Sequence, residues 1–278
     1  MAWYDGLPRP QFTQFPQVET GSSWYTVLKL PQNIYAICEP RHFQEVISFL
    51  IPGTKEALLL DTGMGIRPIR PVVEQLTGLP VTVVNTHSHF DHVGGNGEFS
   101  AVWAWETEAS RRRARQGWAP EPEDENISPE AFLDGLPHGF TYRQPPYFMK
   151  PLVNAQRFDL GSRVWEVLHA PGHSGDSIVL FCEAEKLLCT GDTLYPGTLY
   201  AQQAPETYRD TLQMLADRFS DYTLLCSHNE PIRPGGLLAR SAAALTAMLD
   251  GKTTAKDAGD GLWLHTWQDI QILSHISG

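Results

Sequence analysis

Three histidines and one aspartate stand within six residues directly after a short apolar run, and this segment constrains the chain more than any other. The run Val81-Thr82-Val83-Val84 predicts a buried β-strand, and it is followed by Thr86-His87-Ser88-His89-Phe90-Asp91-His92-Val93-Gly94-Gly95. In a helix, His87 and His89 would point to nearly opposite faces, whereas in extended or looped backbone residues two apart face the same side. The two closing glycines are expected to let the backbone turn closely. The segment predicts a polar site at the carboxyl edge of a sheet, where α/β proteins usually carry their sites.

Three later segments each end a β-like run with one imidazole or carboxylate. They are Ala170-Pro171-Gly172-His173-Ser174, Thr190-Gly191-Asp192-Thr193 and Cys226-Ser227-His228-Asn229. Taken singly, such a histidine is more often structural, and a histidine-rich segment alone can be an ordinary polar loop. Together the segments supply five imidazoles and two carboxylates, a donor set suited to two divalent cations. The candidate ligands are His87, His89, Asp91, His92, His173, Asp192 and His228.

The rest of the chain shows strands followed by strand–helix units, repeated twice without a long linker. Strands are expected over residues 24–28, 34–38, 45–50, 56–60, 81–84, 101–105, 164–168, 177–181, 186–189 and 222–226. Helices are expected over 69–76, 106–116, 205–218 and 237–249. This order predicts an α/β fold, a four-layer αββα sandwich with residues 1–278 as a single domain.

Two segments do not follow this pattern. Between residues 118 and 151, seven prolines and scattered aromatics interrupt any periodicity, which predicts a lid-like insertion. Its aromatic residues are Trp118, Phe132, Phe140, Tyr142, Tyr147 and Phe148. The tail from Gly251 is polar and then reads Leu262-Trp263-Leu264-His265-Thr266-Trp267, and it is expected to pack either on the domain or on a partner.

The chain contains five motifs in this order: Asp61-Thr62-Gly63, His-x-His-x-Asp-His, Pro-Gly-His-Ser, Gly-Asp-Thr and Ser-His. This ordered set resembles the motifs of the metallo-β-lactamase superfamily and is closest in style to its glyoxalase II-like and lactonase-like branches. The resemblance spans roughly residues 20–235 and implies an αββα sandwich with two divalent ions at one edge. Zinc is the first expectation, and iron or manganese are the alternatives. The resemblance assigns His87, His89 and His173 to one ion, Asp91, His92 and His228 to the other, and Asp192 as the bridge. Asp61 would orient the ligands from behind.

The sequence departs from the family pattern in three places. After His173 it reads Ser174-Gly175-Asp176-Ser177, where the family usually has Gly before the final Ser, and Asp176 is expected to be a turn or capping residue. Asp192 occupies the position at which zinc β-lactamases of the best-known subclass carry cysteine, which counts against antibiotic hydrolysis. The chain has no room for the large inserted domain of nucleic-acid-cleaving relatives, which counts against a nuclease.

Composition narrows the expected partners to a small-molecule substrate and leaves the oligomeric state open. A formal net charge of −11 repels phosphate backbones, so we expect no nucleic acid. No apolar run is long enough for a membrane helix, and the start lacks the basic and apolar regions of a signal peptide. The cysteines, which form no Cys-x-x-Cys pair, are expected to be buried thiols in a reducing cytoplasm. They are Cys38, Cys182, Cys189 and Cys226.

The resemblance implies a hydrolase in which a hydroxide activated by two metals attacks a carbonyl carbon. Thioesters are the first expected substrates, of the glyoxalase II-like or acyl-CoA-like kind. Asp91 is the expected acid–base group. Tyr195, three residues after Asp192, is expected either to donate to the developing oxyanion or simply to pack.

Several alternatives remain open from the sequence. The enzyme could be a lactonase or other ester hydrolase, a mononuclear non-haem iron persulfide dioxygenase, or a non-catalytic metal-binding module. The full set of second-metal residues favours the hydrolase. Four arginines precede the insertion and could meet the phosphates of a coenzyme A carrier: Arg111, Arg112, Arg113 and Arg115. The preferred interpretation is a solvated helix face on which Glu108 pairs with Arg112.

Overall fold

The protein is represented by a computed structural model that describes residues 3–121, 124–135 and 142–277. Phe140 of the predicted insertion lies outside these residues. Within the described ranges the helices are α1 (Arg70–Leu76), α2 (Phe90–Val93), α3 (Glu108–Gln116), α4 (Pro205–Phe219) and α5 (Gly236–Leu249). The strands are β1 (Gln17–Val18), β2 (Thr26–Leu30), β3 (Ile34–Cys38), β4 (Ile47–Pro52), β5 (Ala57–Leu60), β6 (Val81–Val84), β7 (Val102–Trp105), β8 (Met149–Leu152), β9 (Arg157–Asp159), β10 (Val164–His169), β11 (Ile178–Cys182), β12 (Leu187–Gly191), β13 (Thr198–Tyr200), β14 (Thr223–Cys226), β15 (Ile232–Pro234), β16 (Thr254–Gly259), β17 (Leu262–Trp267) and β18 (Ile270–Ser274).

Two large mixed sheets form the centre of the molecule. The first follows chain order from β1 to β8, antiparallel up to β5 and parallel from β5 to β8. The second has the order β15-β14-β12-β11-β10-β9, with β12 and β14 parallel. Parallel neighbours need a crossover between them, and α1 supplies it between β5 and β6, as α4 does between β12 and β14.

Buried apolar side chains hold four layers together. Phe49 of the first sheet and Trp165 of the second belong to one cluster, which fills the space between the sheets. On the outer face of the first sheet, Val73 of α1 packs with Leu59 of β5. On the outer face of the second sheet, α4 and α5 pack with β11 and β12. The order of layers is therefore helix, sheet, sheet, helix, and the prediction of an αββα sandwich is confirmed.

Strands in the middle of this sandwich are covered on both faces, which explains their continuous apolar runs. Every residue of β4, β5, β11 and β12 is buried. The helix predicted over 106–116 begins at Glu108, because Thr107 caps it. The Thr107 hydroxyl accepts from Ser110 N (3.1 Å), and the Ser110 hydroxyl accepts from Thr107 N (2.8 Å).

The C-terminal tail packs on the domain. It forms β16, β17 and β18, which join β13 in a third sheet of order β13-β18-β17-β16. The β13–β18 pair is parallel, and Ile272 lies in the same buried cluster as Leu199 of β13 and Leu245 of α5. The sequence left open whether this tail packs on the domain or on a partner. The pairing of β18 with β13 shows that it packs on the domain.

The described part of the predicted insertion is anchored at both ends. Trp118 and Gln144 exchange backbone hydrogen bonds, N to O at 3.0 and 2.8 Å. Phe132 packs against Trp24, with ring centroids 6.1 Å apart. The end of the segment forms β8, the edge strand of the first sheet, so that part extends the sheet and does not cover it.

Two further expectations from the sequence concern the thiols and the membrane. The four cysteines are free and buried, as predicted. Within the described part of the chain, no helix combines the length and the apolar character needed to span a bilayer.

Candidate metal centre

The seven predicted ligands meet at one edge of the sandwich, where strands end. His87 and His89 follow β6, and Asp91 and His92 lie on the short helix α2. The remaining three follow the carboxyl ends of β10, β12 and β14: His173, Asp192 and His228. We call these seven residues the donor cluster. The sheets thus gather residues that are up to 141 positions apart, from His87 to His228, into one site.

The donor cluster divides into three groups whose potential ligand atoms lie within 4.8 Å of one another. The groups are His87, His89 and His173; His87, His92 and Asp192; and Asp91, His92 and His228. The first and third groups match the two predicted ligand sets.

Asp192 lies between these two sets. Its Oδ1 is 3.0 Å from His228 Nε2 and 3.2 Å from His92 Nε2. Its Oδ2 is 3.6 Å from His173 Nε2 and 3.8 Å from His87 Nε2. One carboxylate therefore reaches imidazoles of both sets, as a bridging ligand would.

Backbone packing close to the cluster requires glycine at position 94. A Cβ on Gly94 would lie 2.0 Å from the carbonyl carbon of Met64. The φ of Gly94 is −60°, which any residue adopts, so the backbone freedom that the sequence led us to expect is not used at this position. The glycine is needed because the backbone of residues 63–65 lies directly against it, and Gly94 N donates to Gly63 O (2.8 Å).

The nitrogen atoms in the cluster face one another in a way that a cation would satisfy. His173 Nε2 lies 2.9 Å from His89 Nδ1, and His92 Nε2 lies 3.3 Å from His228 Nε2. His87 Nε2 is buried and has no hydrogen-bond partner among the described residues. Buried polar atoms normally have partners, and imidazole nitrogens with carboxylate oxygens are the ligands that divalent transition metals prefer. The donor set fits two such ions.

Burial leaves three of the imidazoles uncharged. It lowers the pKa of His87 and of His89, and it lowers the pKa of His173 to about 3. Neutral imidazole is the form that binds metal, so these three side chains have the protonation state of ligands at neutral pH.

The other two imidazoles lie beside the carboxylates and respond differently. Burial lowers the pKa of His92, but the charges of Asp192 and Asp91 outweigh it, and the pKa lies well above its usual value. The pKa of His228 is raised for the same reason. Conversely, these imidazoles hold the pKa of Asp91 at about 2 against the effect of burial. Positive charge is favourable at this point of the molecule.

Asp61 supports the cluster from behind. It is fully buried, and its Oδ2 accepts from His92 Nδ1 (2.8 Å). The same carboxylate accepts from Thr86 N (2.7 Å) and Thr86 Oγ1 (2.8 Å). The proton on Nδ1 leaves His92 Nε2 free to face the cluster. The geometry is that of an outer partner that fixes the tautomer of a metal ligand.

Sequence reasoning missed one orienting group. The backbone carbonyl of Gln44 accepts from His228 Nδ1 at 2.6 Å, and this contact fixes the second imidazole as Asp61 fixes His92. A backbone oxygen carries no side-chain signal, so no sequence pattern would have identified it.

Tyr195 lies next to the cluster, but its hydroxyl has another partner. The Tyr195 hydroxyl donates to Thr198 O (2.7 Å), and its ring centroid is 4.8 Å from that of His228. In this arrangement its proton points away from the cluster, so the predicted oxyanion contact requires the hydroxyl to turn.

A cleft of about 420 Å³ opens onto the cluster. His89, Asp91, His173 and Asp192 line its floor together with Tyr195. Its walls include Phe43, Phe90, Glu125, Asn126, Tyr200, Gln202 and Gln203. Phe43 and Tyr200 lie far apart in the sequence, and neither belongs to a motif. The site therefore combines a polar floor with partly aromatic walls, as small-molecule sites commonly do.

The arginines before the insertion agree in part with the preferred expectation of a solvated helix face, since Arg111, Arg112 and Arg115 are exposed. Arg111 Nη1 pairs with Glu106 Oε1 at 3.0 Å. The expected pair between Glu108 and Arg112 is not formed within the described residues, and Arg112 lines a cavity beside the cleft.

Known proteins resemble this chain over the part that carries the site. The sequence model of the metallo-beta-lactamase superfamily matches residues 43–228, from the cleft wall to the last predicted ligand. Acyl-coenzyme A thioesterase MBLAC2 from Homo sapiens is 29% identical over 195 residues, which cover 63% of this chain and 68% of that protein. Hydroxyacylglutathione hydrolase from Xanthomonas euvesicatoria pv. vesicatoria (strain 85-10) is 27% identical over 195 residues, 69% of this chain and 64% of the relative.

Solved structures show the same architecture. A metallo-beta-lactamase family protein from Thermus thermophilus superposes with a TM-score of 0.60 at 26% identity. The match covers 80% of this chain and 82% of that chain.

Proposed function

The chain belongs to the metallo-beta-lactamase superfamily, and from this premise we propose that it is a metal-dependent hydrolase that cleaves thioesters. The observation that carries the proposal is the donor cluster, in which one carboxylate, Asp192, reaches both sets of imidazoles. The relatives described above are named a thioesterase and a hydroxyacylglutathione hydrolase, which supports a thioester as the substrate.

Two divalent ions are part of this proposal, with zinc first and iron or manganese as alternatives. His87, His89 and His173 would hold one ion, Asp91, His92 and His228 the other, and Asp192 both. When bound, such ions supply water that ionises near neutral pH and polarise a carbonyl oxygen.

Asp91 is the proposed acid–base residue. Its carboxylate lines the floor of the cleft, and the neighbouring imidazoles hold its pKa at about 2, so it is ionised at neutral pH. Its Oδ2 lies 3.7 Å from His228 Nε2 and 3.5 Å from His92 Nε2. The departing thiolate needs a proton, and protonated Asp91 would return it. Tyr195 joins the proposal as an oxyanion donor if its hydroxyl turns from Thr198 O.

The acyl group would occupy the aromatic side of the cleft. Phe43, Phe90 and Tyr200 line that side, and they suit an apolar chain or ring. Trp118, the first residue of the predicted lid-like insertion, packs against Phe90 with ring centroids 5.0 Å apart. This contact supports the proposal that the insertion restricts access of water to the site.

A substrate panel tests the proposal directly. Metal-loaded protein is assayed on an acyl-CoA, an S-acylglutathione, an oxygen ester and a lactone, with Asp192→Ala as the inactive control. We expect release of free thiol from thioesters, at a kcat/KM above that for an oxygen ester of the same acyl group. Faster cleavage of the lactone than of any thioester would contradict the substrate assignment.

A further inference from the structure

A second cavity of about 460 Å³ adjoins the cleft. The two cavities share His89 and Gln203, so a single extended ligand can lie in both. The far wall of the second cavity carries Arg112 and Arg113 of α3, and we call it the arginine cavity. Both volumes fall within the range of ordinary small-ligand sites.

Arg113 lies in this wall next to Trp118. Its side chain is partly buried, its guanidinium carbon is 5.0 Å from the ring centroid of Trp118, and its Nη1 has no hydrogen-bond partner in the described ranges. Burial lowers its pKa, as happens when a cation is desolvated without a paired acid. Neither Arg112 nor Arg113 forms an ion pair with any residue that the structure describes, whereas Arg111 on the same helix pairs with Glu106.

The wall near the donor cluster offers an acceptor. Asp176 is 4% exposed, its Oδ1 accepts from Ser174 Oγ (2.8 Å), and its Oδ2 has no partner among the described residues. Asp176 is three residues from His173. It lines the same cavity as His89 and belongs to the segment that carries His173, so it lies on the side of the donor cluster.

We propose that the arginine cavity binds the thiol carrier of the substrate through a phosphate group, with Arg112 and Arg113 on the phosphate and Asp176 accepting from an amide N–H nearer the sulfur. This proposal rests on the proposed thioesterase function and narrows its substrate class. Paired guanidinium groups bind phosphate oxygens through charge-assisted, often bidentate hydrogen bonds.

The order of charges along the cavity selects the carrier. Asp176 lies on the side of the donor cluster, and Arg112 and Arg113 lie on the far wall. The carrier should therefore be neutral near its sulfur and anionic farther away. A phosphopantetheine arm has this order, with amide groups between the thiol and the phosphate. Glutathione has a glycine carboxylate beside its cysteine, which would face Asp176.

Direct binding of the thiol carriers tests this inference without any hydrolysis. Coenzyme A, 4′-phosphopantetheine and pantetheine are titrated into metal-loaded protein by calorimetry. The test variant is Arg112→Gln/Arg113→Gln, which removes both charges and keeps polar side chains on the helix, and the matched control is Arg111→Gln/Arg115→Gln on the same helix. We expect the test variant to weaken coenzyme A binding about 10- to 100-fold, and the control to change it little.

The three ligands separate the sources of phosphate. If coenzyme A and phosphopantetheine both bind tightly, the arginines bind the phosphate of the phosphopantetheine arm. If coenzyme A alone binds tightly, they bind the phosphates of its nucleotide. Both results support the proposal. Equal affinity for pantetheine and coenzyme A, or equal effects of the two double variants, would overturn it.

Kinetics then distinguish this inference from the proposed function. The ratio of kcat/KM for an acyl-CoA to that for the same acyl group on pantetheine should fall in the test variant and not in the control. If the wild type cleaves neither thioester, the proposed function fails while the binding result still stands. If it cleaves both with a ratio near one in every variant, the hydrolase stands and the carrier site is wrong.

Discussion

Replacing Asp61 by asparagine should weaken metal binding without disturbing the fold. Asp61 has a φ of +60°, a backbone region that asparagine also tolerates, so Asp61→Asn changes the chemistry and leaves the loop unstrained. The carboxylate accepts three hydrogen bonds, two from Thr86 and one from His92 Nδ1. An amide has one accepting oxygen. If that oxygen keeps Thr86 N, the NH₂ group faces His92 Nδ1.

The size of the effect follows from this conflict. The amide can donate to His92 Nδ1 only if the imidazole proton moves to Nε2, the atom that faces Asp192 and His228. Loss of such an orienting partner costs about 10- to 100-fold in metal affinity, or about 1.4–2.7 kcal/mol. That range agrees with about 1.5–3 kcal/mol for one hydrogen bond to a charged group.

The assay is titration of metal-free protein with zinc against a chromophoric chelator. Asp159→Asn is the matched control, since it makes the same change on an exposed carboxylate that accepts from Gly161 N. A melting curve of each metal-free variant checks the fold. Wild-type zinc affinity in Asp61→Asn, with the fold intact, would refute the orienting role.

Three more substitutions give separate tests. Asp192→Ala should abolish turnover while circular dichroism shows a folded protein, and near-normal activity would exclude the bridging role. Tyr195→Phe removes a hydrogen bond to Thr198 O, so we expect a loss of about 1 kcal/mol in stability and a small change in kcat. A fall in kcat of about 100-fold or more would instead show that the hydroxyl turns to serve the oxyanion. Burial raises the pKa of Glu39 from 4.5 to about 7, so in that interval the folded state holds more protons than the unfolded state, and the free energy of unfolding falls as the pH rises. The free energy of unfolding, measured with denaturant from pH 4 to 8, should fall by about 3 kcal/mol less in Glu39→Gln than in the wild type. Identical pH profiles of the two proteins would contradict the protonation of Glu39 in the folded state.

Much of the fold could be predicted because its central strands have a recognisable local sequence pattern. The strands β4, β5, β11 and β12 are buried on both faces, and their apolar runs are visible without any knowledge of their neighbours. The edge strands are different. β8 contains Pro151 and lies at the end of its sheet, where a missing N–H is tolerated, so its residues resemble a loop.

The third sheet could not be predicted for a related reason. β16 is almost wholly exposed and polar, and β18 depends on β13, a strand of three residues that lies about 70 positions earlier. Parallel pairing across that distance leaves no periodic signal. The pairing is fixed by burial of Leu199, Ile270 and Ile272 against α5, which only the folded chain reveals.

The candidate site, like the fold, could be predicted only in part. Side-chain donors such as His87, Asp91 and Asp192 could be identified because their chemistry is rare in ordinary loops, and the structure brings all seven together. Groups that act through the backbone, such as the carbonyl of Gln44, could not. Phosphate contact by the arginines before the insertion was only the less preferred alternative, because the helical spacing of Glu108 and Arg112 permits a pair that the tertiary structure does not use.

The most direct test of the two-metal account is the metal content of each chain. Protein purified without added metal or chelator is examined by elemental analysis, with the protein concentration from amino-acid analysis. The account predicts two divalent ions per chain, zinc first, both lost on treatment with a chelator together with activity. A single iron per chain, with oxygen consumed in the presence of a persulfide, would contradict the hydrolase and establish the dioxygenase in its place.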